Sequence, residues 1–167
     1  MTLPQWFIVA LALWRGLELV YAHRNARRLL AEGGQAHGDG HYPVIVGLHV
    51  AWLAALAGAG RSIAEPDWLL FALFVLLEAA RLWVVATLGR FWTTRVISVP
   101  EAPLVRKGPF RWMRHPNYAI IALQLPLLLF AYGAPAFAVL FGAAHILVLA
   151  HRIRIEEEAL RPRRSLA

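Results

Sequence analysis

The chain has 167 residues, of which 59% are hydrophobic and only 16% are charged. An ordinary soluble domain is nearer half apolar and a quarter charged, so this composition disfavours a soluble protein and favours a membrane protein. The absence of cysteine excludes disulfides, thiolate metal sites and a cysteine nucleophile. The formal net charge of +7 falls in the gaps between apolar runs, which suits anionic lipid headgroups better than nucleic acid.

Apolar runs of the length that crosses a bilayer, about 20 residues each, recur along the chain. The first three cover about residues 3–22, 43–60 and 67–88. The last run, residues 118–150, is too long for one span and is interrupted by a turn signal, Tyr-Gly-Ala-Pro, at residues 132–135. We therefore expect an all-α, polytopic membrane protein with about five transmembrane helices, the last two of which form a hairpin whose first helix is short.

The basic residues predict the orientation of these spans. The N-terminal run lacks the basic start and the cleavage site of a secretory signal, so we expect it to be retained as a membrane helix. Fourteen of the 17 lysines and arginines fall in the first loop, the third loop and the C-terminal tail, which alternate with the other loops. The positive-inside rule then places the N-terminus outside and the C-terminus in the cytoplasm.

The loop at residues 33–40 contains four glycines. Their spacing does not match a nucleotide-binding fingerprint, which would also need a preceding strand. We interpret this loop as a flexible connector.

Two pairs of opposite charges lie inside the predicted spans. Arg15 and Glu18 are three residues apart, as are Glu78 and Arg81, so each pair shares one helix face. Charge at membrane depth is costly and normally faces the bundle interior or a wet cavity. The pairs are equally consistent with an ion pair that locks helices together and with a functional site. No spacing of His, Asp and Glu predicts a metal site.

The segment at residues 108–118, Gly-Pro-Phe-Arg-Trp-Met-Arg-His-Pro-Asn-Tyr, is rich in groups that bind ligands. Pro116 disfavours helix at His115, which places the histidine in a non-helical conformation at the mouth of the next helix. The free N–H groups of the first helical turn, together with arginines, favour an anionic ligand group. The alternative is a belt of aromatic and basic residues that gathers at a bilayer interface for reasons of solvation alone.

A second polar segment, residues 151–160, continues directly from the last span. In a helix, Arg152 neighbours Glu156 and Arg154 neighbours Glu158. Glu157 then projects elsewhere, and we expect it to be available to a ligand. The alternative is a solvated helix end with ordinary ion pairs.

In their order and spacing these motifs resemble the isoprenylcysteine carboxyl methyltransferase family. The resemblance rests on Gly-Pro-Phe-Arg-x-x-Arg-His-Pro-x-Tyr at residues 108–118, on Arg-Ile-x-x-Glu-Glu at residues 152–157, and on Thr-Leu-Gly-Arg-Phe-Trp-Thr-Thr-Arg at residues 87–95. In the N-terminal half, Arg24-Asn25, the glycine-rich loop, His41-Tyr42-Pro43 and His49 are similar to small bacterial members found beside type III polyketide synthases, which are like alkylpyrone or alkylresorcinol O-methyltransferases.

The resemblance implies a single membrane methyltransferase domain over residues 1–167, with its catalytic half at about residues 87–167. It implies a cytoplasmic pocket for S-adenosylmethionine in the bacterial inner membrane, a lipophilic acceptor that arrives from the bilayer, and a functional link to a polyketide synthase. The residues that would bind the cofactor are Gly108, Phe110, Arg114, His115, Pro116, Tyr118, Arg152, Glu156 and Glu157. The candidates for stabilising or deprotonating the acceptor oxygen are Arg95, His41 and the two arginines inside the spans, Arg15 and Arg81.

Three other functions stay open at this point. Membrane phospholipid N-methyltransferases and NADPH-dependent membrane reductases share similar C-terminal signatures. A non-enzymatic membrane scaffold would account for each motif separately as an interfacial feature. The joint spacing of two motifs on either side of a hairpin argues against the scaffold.

Overall fold

The computed structural model describes residues 2–38, 40, 42–63 and 65–164, and within these ranges helix dominates. The helices are α1 (Leu3–Ala31), α2 (Tyr42–Ser62), α3 (Trp68–Leu88), α4 (Pro116–Ala131) and α5 (Pro135–Arg164). The short strands are β1 (Gln35–His37) and β2 (Val96–Ser98), and single 3-10 turns lie at Gly89–Phe91 and Gly108–Arg111. The prediction of an all-α, polytopic membrane protein is confirmed.

Helices α1, α2, α3 and α5 are long and apolar enough to cross a membrane. Helix α4 has 16 residues, or about 24 Å at 1.5 Å per residue, and falls short of a hydrocarbon core of about 30 Å. A tight turn joins it to α5: Gly133 has φ +65, and the Ala134 amide donates to the Leu129 carbonyl at 2.9 Å. The structure therefore contains the predicted hairpin with a short first helix.

Two helices extend beyond the apolar runs that predicted them. Helix α1 continues to Ala31 and α5 to Arg164, so that α5, with 30 residues, is about 45 Å long. The polar ends of these helices must project beyond the hydrocarbon core. The tail motif thus sits on a rigid helix.

The glycine-rich loop is not simply a flexible connector, and that prediction is wrong for its central residues. Strand β1 lies inside this loop and pairs antiparallel with β2, with His37 opposite Val96 and Gln35 opposite Ser98. Gly34 leads into the strand where a Cβ would stand 2.6 Å from the Leu29 carbonyl oxygen. The small ladder ties the first loop to the third.

The core lies between the helices and is mostly apolar, and several of its polar groups are hydrogen-bonded across helices. Trp52, fully buried on α2, donates its indole N–H to the Leu125 carbonyl at 2.9 Å. The Tyr132 hydroxyl donates to the Pro4 carbonyl at 3.0 Å, which fastens the hairpin turn to the start of α1. Large apolar side chains such as Leu147, 73% exposed, point outward, as expected for helices that face lipid.

The charges inside the spans form one cluster that joins α1 to α3. Arg15 contacts Glu18 on its own helix at 2.7 Å and Glu78 on α3 at 2.6 Å. Arg81 in turn contacts Glu18 and Glu78. All four side chains are between 9% and 16% exposed, and the cluster is neutral overall. Gln124 of α4 also donates a hydrogen bond to Glu78, so the cluster links three helices.

Removing one acid from this cluster should destabilise the protein more than removing a matched pair. In Glu78→Leu, two arginines share the single remaining acid, Glu18, and we expect the free energy of unfolding to fall by about 3 kcal/mol. In the Arg15→Leu/Glu78→Leu double variant the remaining Arg81–Glu18 pair is neutral, and stability should recover toward that of the parent. Unfolding in detergent, followed by tryptophan fluorescence, measures both. Equal losses in the single and double variants would contradict the neutral-cluster argument.

Candidate active site

A cavity of about 760 Å³ opens at the end of the bundle where α4 begins and α5 ends. Its size is within the range of small-molecule sites. The chain between α3 and α4 closes its other side. Its apolar lining includes Leu88, Phe91, Trp92, Val96, Ile97, Leu104, Val105, Phe110 and Leu160. Its ionisable lining comprises Arg95, Arg106, Arg111, Arg114, His115, Tyr118, Arg152, Glu156, Glu157, Arg163 and Arg164.

The two polar motifs meet at this cavity. His115 Nε2 lies 2.7 Å from Glu157 Oε1 although the residues are 42 positions apart in sequence. Because α4 and α5 are antiparallel neighbours, the first turn of one lies beside the last turns of the other. Glu157 also contacts Arg164 and lies 3.6 Å from Arg114. It is therefore not the unpaired carboxylate that the sequence suggested.

Those partners hold Glu157 in its charged form. Hydrogen bonds from Arg164 and from His115 keep the pKa of the Glu157 carboxyl below its usual range. Since a carboxylate only accepts hydrogen bonds, His115 Nε2 is the protonated nitrogen of this contact. The imidazole is thereby oriented, and its other nitrogen, Nδ1, is left for a different partner.

A second contact between the motifs passes through Tyr118. Arg152 Nε donates to the Tyr118 hydroxyl at 2.8 Å, and that hydroxyl donates to the Glu156 carboxylate. The sequence predicted that Arg152 and Glu156 are neighbours on α5, and the structure places a hydroxyl from α4 between them. The guanidinium also lies 5.8 Å from the centre of the Tyr118 ring. The two motifs are thus joined by two separate contacts, one through His115 and Glu157 and one through Tyr118.

Two polar atoms at the start of α4 are buried without a hydrogen-bond partner in the described part of the chain. They are His115 Nδ1 and Asn117 Oδ1, and both residues line the cavity. The His115 ring stacks on Tyr118, with centroids 5.5 Å apart. As Pro116 predicts, His115 is non-helical, with φ −126 and ψ 57. Unsatisfied buried polar atoms require an explanation, and a ligand in the adjoining cavity supplies one.

The opposite wall is held in place by the N-terminal half of the chain. Asn25 of α1 donates to the carbonyls of Gly89 and Trp92, at 3.1 and 2.9 Å. Arg95 lines the cavity, and its guanidinium lies 5.2 Å from the ring of Tyr42 at the start of α2. Asn25 and Tyr42, which the sequence linked to function only by resemblance, therefore help to position this wall.

The structure brings most of the predicted site residues together. Phe110, Arg114, His115, Pro116, Tyr118, Arg152, Glu156 and Glu157 line the cavity, as does Arg95. The catalytic candidate His41 lies outside the described residues. Whether any of these residues contacts a cofactor stays a prediction.

Gly108 is not among the lining residues, and its role in the structure is conformational. It has φ +56, and a Cβ there would stand 2.7 Å from Thr87 Oγ1 at the end of α3. The glycine lets the chain approach α3 closely just before the motif begins. Its identity follows from backbone geometry rather than from contact with the cavity.

Sequence reasoning missed several lining residues. Asn117 stands at the position that the family motif leaves open, so no pattern marked it. Arg164 follows Glu157 by seven residues, about two helical turns, so the two lie on one face of α5; this spacing was a usable signal. In the sequence, Arg161, Arg163 and Arg164 serve only as markers of orientation.

The electrostatics of the cavity favour ligands with negative groups. Seven arginines and two glutamates line it, which leaves an excess of positive charge. Arginine binds carboxylates through its planar fork of donors. The two glutamates are acidic groups within this basic lining, and both are hydrogen-bonded, Glu157 to His115 and Glu156 to Tyr118.

Fold and site together define a multi-pass integral membrane protein with a polar cavity at one end of a helical hairpin. The family model described as "Isoprenylcysteine carboxyl methyltransferase (ICMT) family" matches residues 69–162, more than half of the chain. The chain belongs to the isoprenylcysteine carboxyl methyltransferase family, and in general terms it is a membrane methyltransferase.

Two curated bacterial relatives are similar over most of their length. The chain is 34% identical to the uncharacterized protein YpbQ of Bacillus subtilis (strain 168) over 160 residues, covering 93% of this chain and 95% of the relative. It is 27% identical to an uncharacterized protein of Haemophilus influenzae over 142 residues, covering 82% and 83%. No solved structure gives a significant match.

A side chain at Gly108 should disturb the motif that follows it. In Gly108→Ala the positive φ and the contact with Thr87 both oppose the new Cβ, and we expect a loss of about 1–3 kcal/mol in unfolding free energy. Adding Thr87→Ala relieves the contact but not the φ strain, so the double variant should recover only part of the loss. Thermal unfolding in detergent measures both variants. A Gly108→Ala protein as stable as the parent would contradict the conformational role.

Proposed function

We propose that this protein transfers a methyl group from S-adenosylmethionine to an oxygen of a lipophilic acceptor. The observation that carries the proposal is the contact between His115 and Glu157, which joins the two family motifs at one cavity. The hairpin alone brings the two motifs to one end of the bundle, but an interfacial belt does not account for their direct hydrogen bonds at a shared cavity.

The residues of the cavity fit the chemistry of the proposed cofactor. S-adenosylmethionine combines a carboxylate, an ammonium, a sulfonium and an adenine ring, and when bound it supplies a methyl group activated by the sulfonium. The arginines suit the carboxylate, Glu156 and Glu157 suit the cationic groups, and the aromatic rings suit the adenine. His115 Nδ1 and Asn117 Oδ1, which have no hydrogen-bond partner among the described residues, are available to further polar groups of such a ligand.

The chain's own contribution is mainly alignment and charge. Holding the reacting groups in line lowers the barrier by several kcal/mol, of the order of 7 or more in favourable cases. A carboxylate acceptor is already ionised at neutral pH and needs no base. A hydroxyl acceptor would be helped by a cation near its oxygen, and Arg95, on the wall opposite the hairpin, suits that role. The apolar lining around Leu104 and Val105 suits the lipophilic part of the acceptor.

Cofactor binding should depend on His115 and Glu157 and not on the neighbouring acid. His115→Ala and Glu157→Ala each remove a charge-assisted contact at the cavity, and we expect the Kd for S-adenosylmethionine to rise about 10- to 100-fold. Glu158, exposed on the next position of α5, is outside the cavity lining, so Glu158→Ala should bind like the parent. Isothermal titration in detergent gives the three constants, and thermal unfolding checks that each variant is folded. If both cavity variants bind like the parent, the pocket assignment is wrong.

The same preparation distinguishes the rival activities. NADPH is titrated in parallel, and binding of NADPH without S-adenosylmethionine would favour a reductase. Methyl transfer from radiolabelled S-adenosylmethionine is then assayed with alkylpyrones, prenylcysteine analogues and phosphatidylethanolamine. Methylation of the phospholipid alone would favour an N-methyltransferase, and binding of neither cofactor would favour a scaffold.

We also propose that the cavity faces the cytoplasm of a bacterial inner membrane, with the N-terminus outside. The chain has no cysteine, so a single introduced thiol reports one position. In spheroplasts, Glu65→Cys in the loop between α2 and α3 should react with a membrane-impermeant maleimide. Arg161→Cys near the end of α5 should react only after lysis. The reverse pattern would invert the topology.

A further inference from the structure

We propose that Arg163 is a positioning residue that holds the segment at residues 99–107 in place as the acceptor-side wall of the cavity. The assignment of that wall to the acceptor rests on the proposed function. The positioning role itself rests on contacts that do not depend on it.

Arg163 is a buried cation that binds backbone carbonyls. It is 7% exposed, and its Nε and Nη2 donate to the carbonyls of Ala102 and Pro103 at 2.7 and 3.0 Å. Its guanidinium also lies 5.9 Å from the centre of the Phe91 ring. Burying a guanidinium is costly unless its donors are used, and here the planar fork spans two consecutive carbonyls, which a single ammonium matches less well.

The segment that Arg163 holds has neither helix nor strand between β2 and the turn at Gly108–Arg111. Glu101 within it has φ +62, a left-handed conformation that is uncommon for a residue with a side chain. Such a conformation persists where the surroundings determine it. The two hydrogen bonds from Arg163 fall on the residues that follow directly.

This segment supplies part of the cavity wall. Leu104, Val105 and Arg106 line the cavity, as do the polar groups of α4 and α5. Arg163 lies six residues after Glu157 on the same helix, about 9 Å along its axis. The end of α5 therefore carries Glu157, on the proposed cofactor side of the cavity, and Arg163, which binds the segment at residues 99–107. Both sides of the cavity are thus attached to one rigid helix.

The sequence offers a direct probe of this segment, because Lys107 is its only lysine. A lysine-specific endoprotease cuts the native chain at that one position, and the cutting rate reports how often the segment opens. Arg161 is exposed on α5 two residues before Arg163 and is outside the cavity lining, so Arg161→Gln is the matched control. We expect Arg163→Gln to be cut about fivefold or more faster than the parent, because two charge-assisted hydrogen bonds are lost, and Arg161→Gln to be cut within about twofold of it.

Kinetics then test which ligand the wall serves. The acceptor is whichever of the alkylpyrone and the prenylcysteine analogue is methylated faster by the parent. Arg163→Gln should raise the KM for that acceptor about fivefold or more while the Kd for S-adenosylmethionine stays within about twofold. Arg163→Lys keeps the positive charge but not the planar fork of donors, so its acceptor KM should lie between those of the parent and of Arg163→Gln. It serves as the second variant if Arg163→Gln fails to fold.

Equal cutting of Arg163→Gln and Arg161→Gln would overturn the positioning role. Faster cutting with an unchanged acceptor KM would overturn the assignment of the wall to the acceptor. If the parent binds no S-adenosylmethionine, the proposed function fails, while the protease comparison still decides the role of Arg163.

Discussion

The antiparallel packing of α4 against α5 is the constraint on which the site depends. A helical hairpin returns the chain to the end of the bundle where it started, so two short polar motifs separated by an apolar hairpin become neighbours. Gly142 of α5 lies on the face that packs against α4, since a Cβ there would be in ordinary contact with Pro126, at 3.4 Å. The contact of His115 with Glu157 is the chemical result of that geometry.

Much of the fold was predictable because the bilayer imposes length and polarity on each span. The apolar runs and the turn at residues 132–135 located the helices and the hairpin. They did not locate the ends of α1 and α5, since charged residues such as Arg28 and Glu157 continue a helix without continuing its hydropathy. The strand pairing of His37 with Val96 was also hidden, because it joins two loops and has no local pattern.

The candidate site was predictable where side-chain chemistry follows a known motif, and less so where it depends on three-dimensional contacts. His115 and Tyr118 fall at the expected cavity, whereas Gly108 proved to be a requirement of the backbone. The partners of Glu157 could not be read from adjacent positions, because Arg114 and His115 lie in the segment just before α4. Spacing along one helix could have revealed Arg164, but nothing local could have revealed the hydrogen bonds of Arg163 to a distant loop.

The intramembrane charge cluster bears on how the protein is made. Helix α1 is synthesised before α3, so Arg15 and Glu18 exist for a time without Glu78 and Arg81. Because each acid has an arginine three residues away on its own helix, each helix can enter the bilayer as a neutral unit. The bonds between the helices, from Arg15 to Glu78 and from Arg81 to Glu18, are then added during lateral assembly, and the pairs within each helix are kept. Membrane insertion in this order therefore leaves no unpaired charge of the cluster in the lipid before the helices assemble.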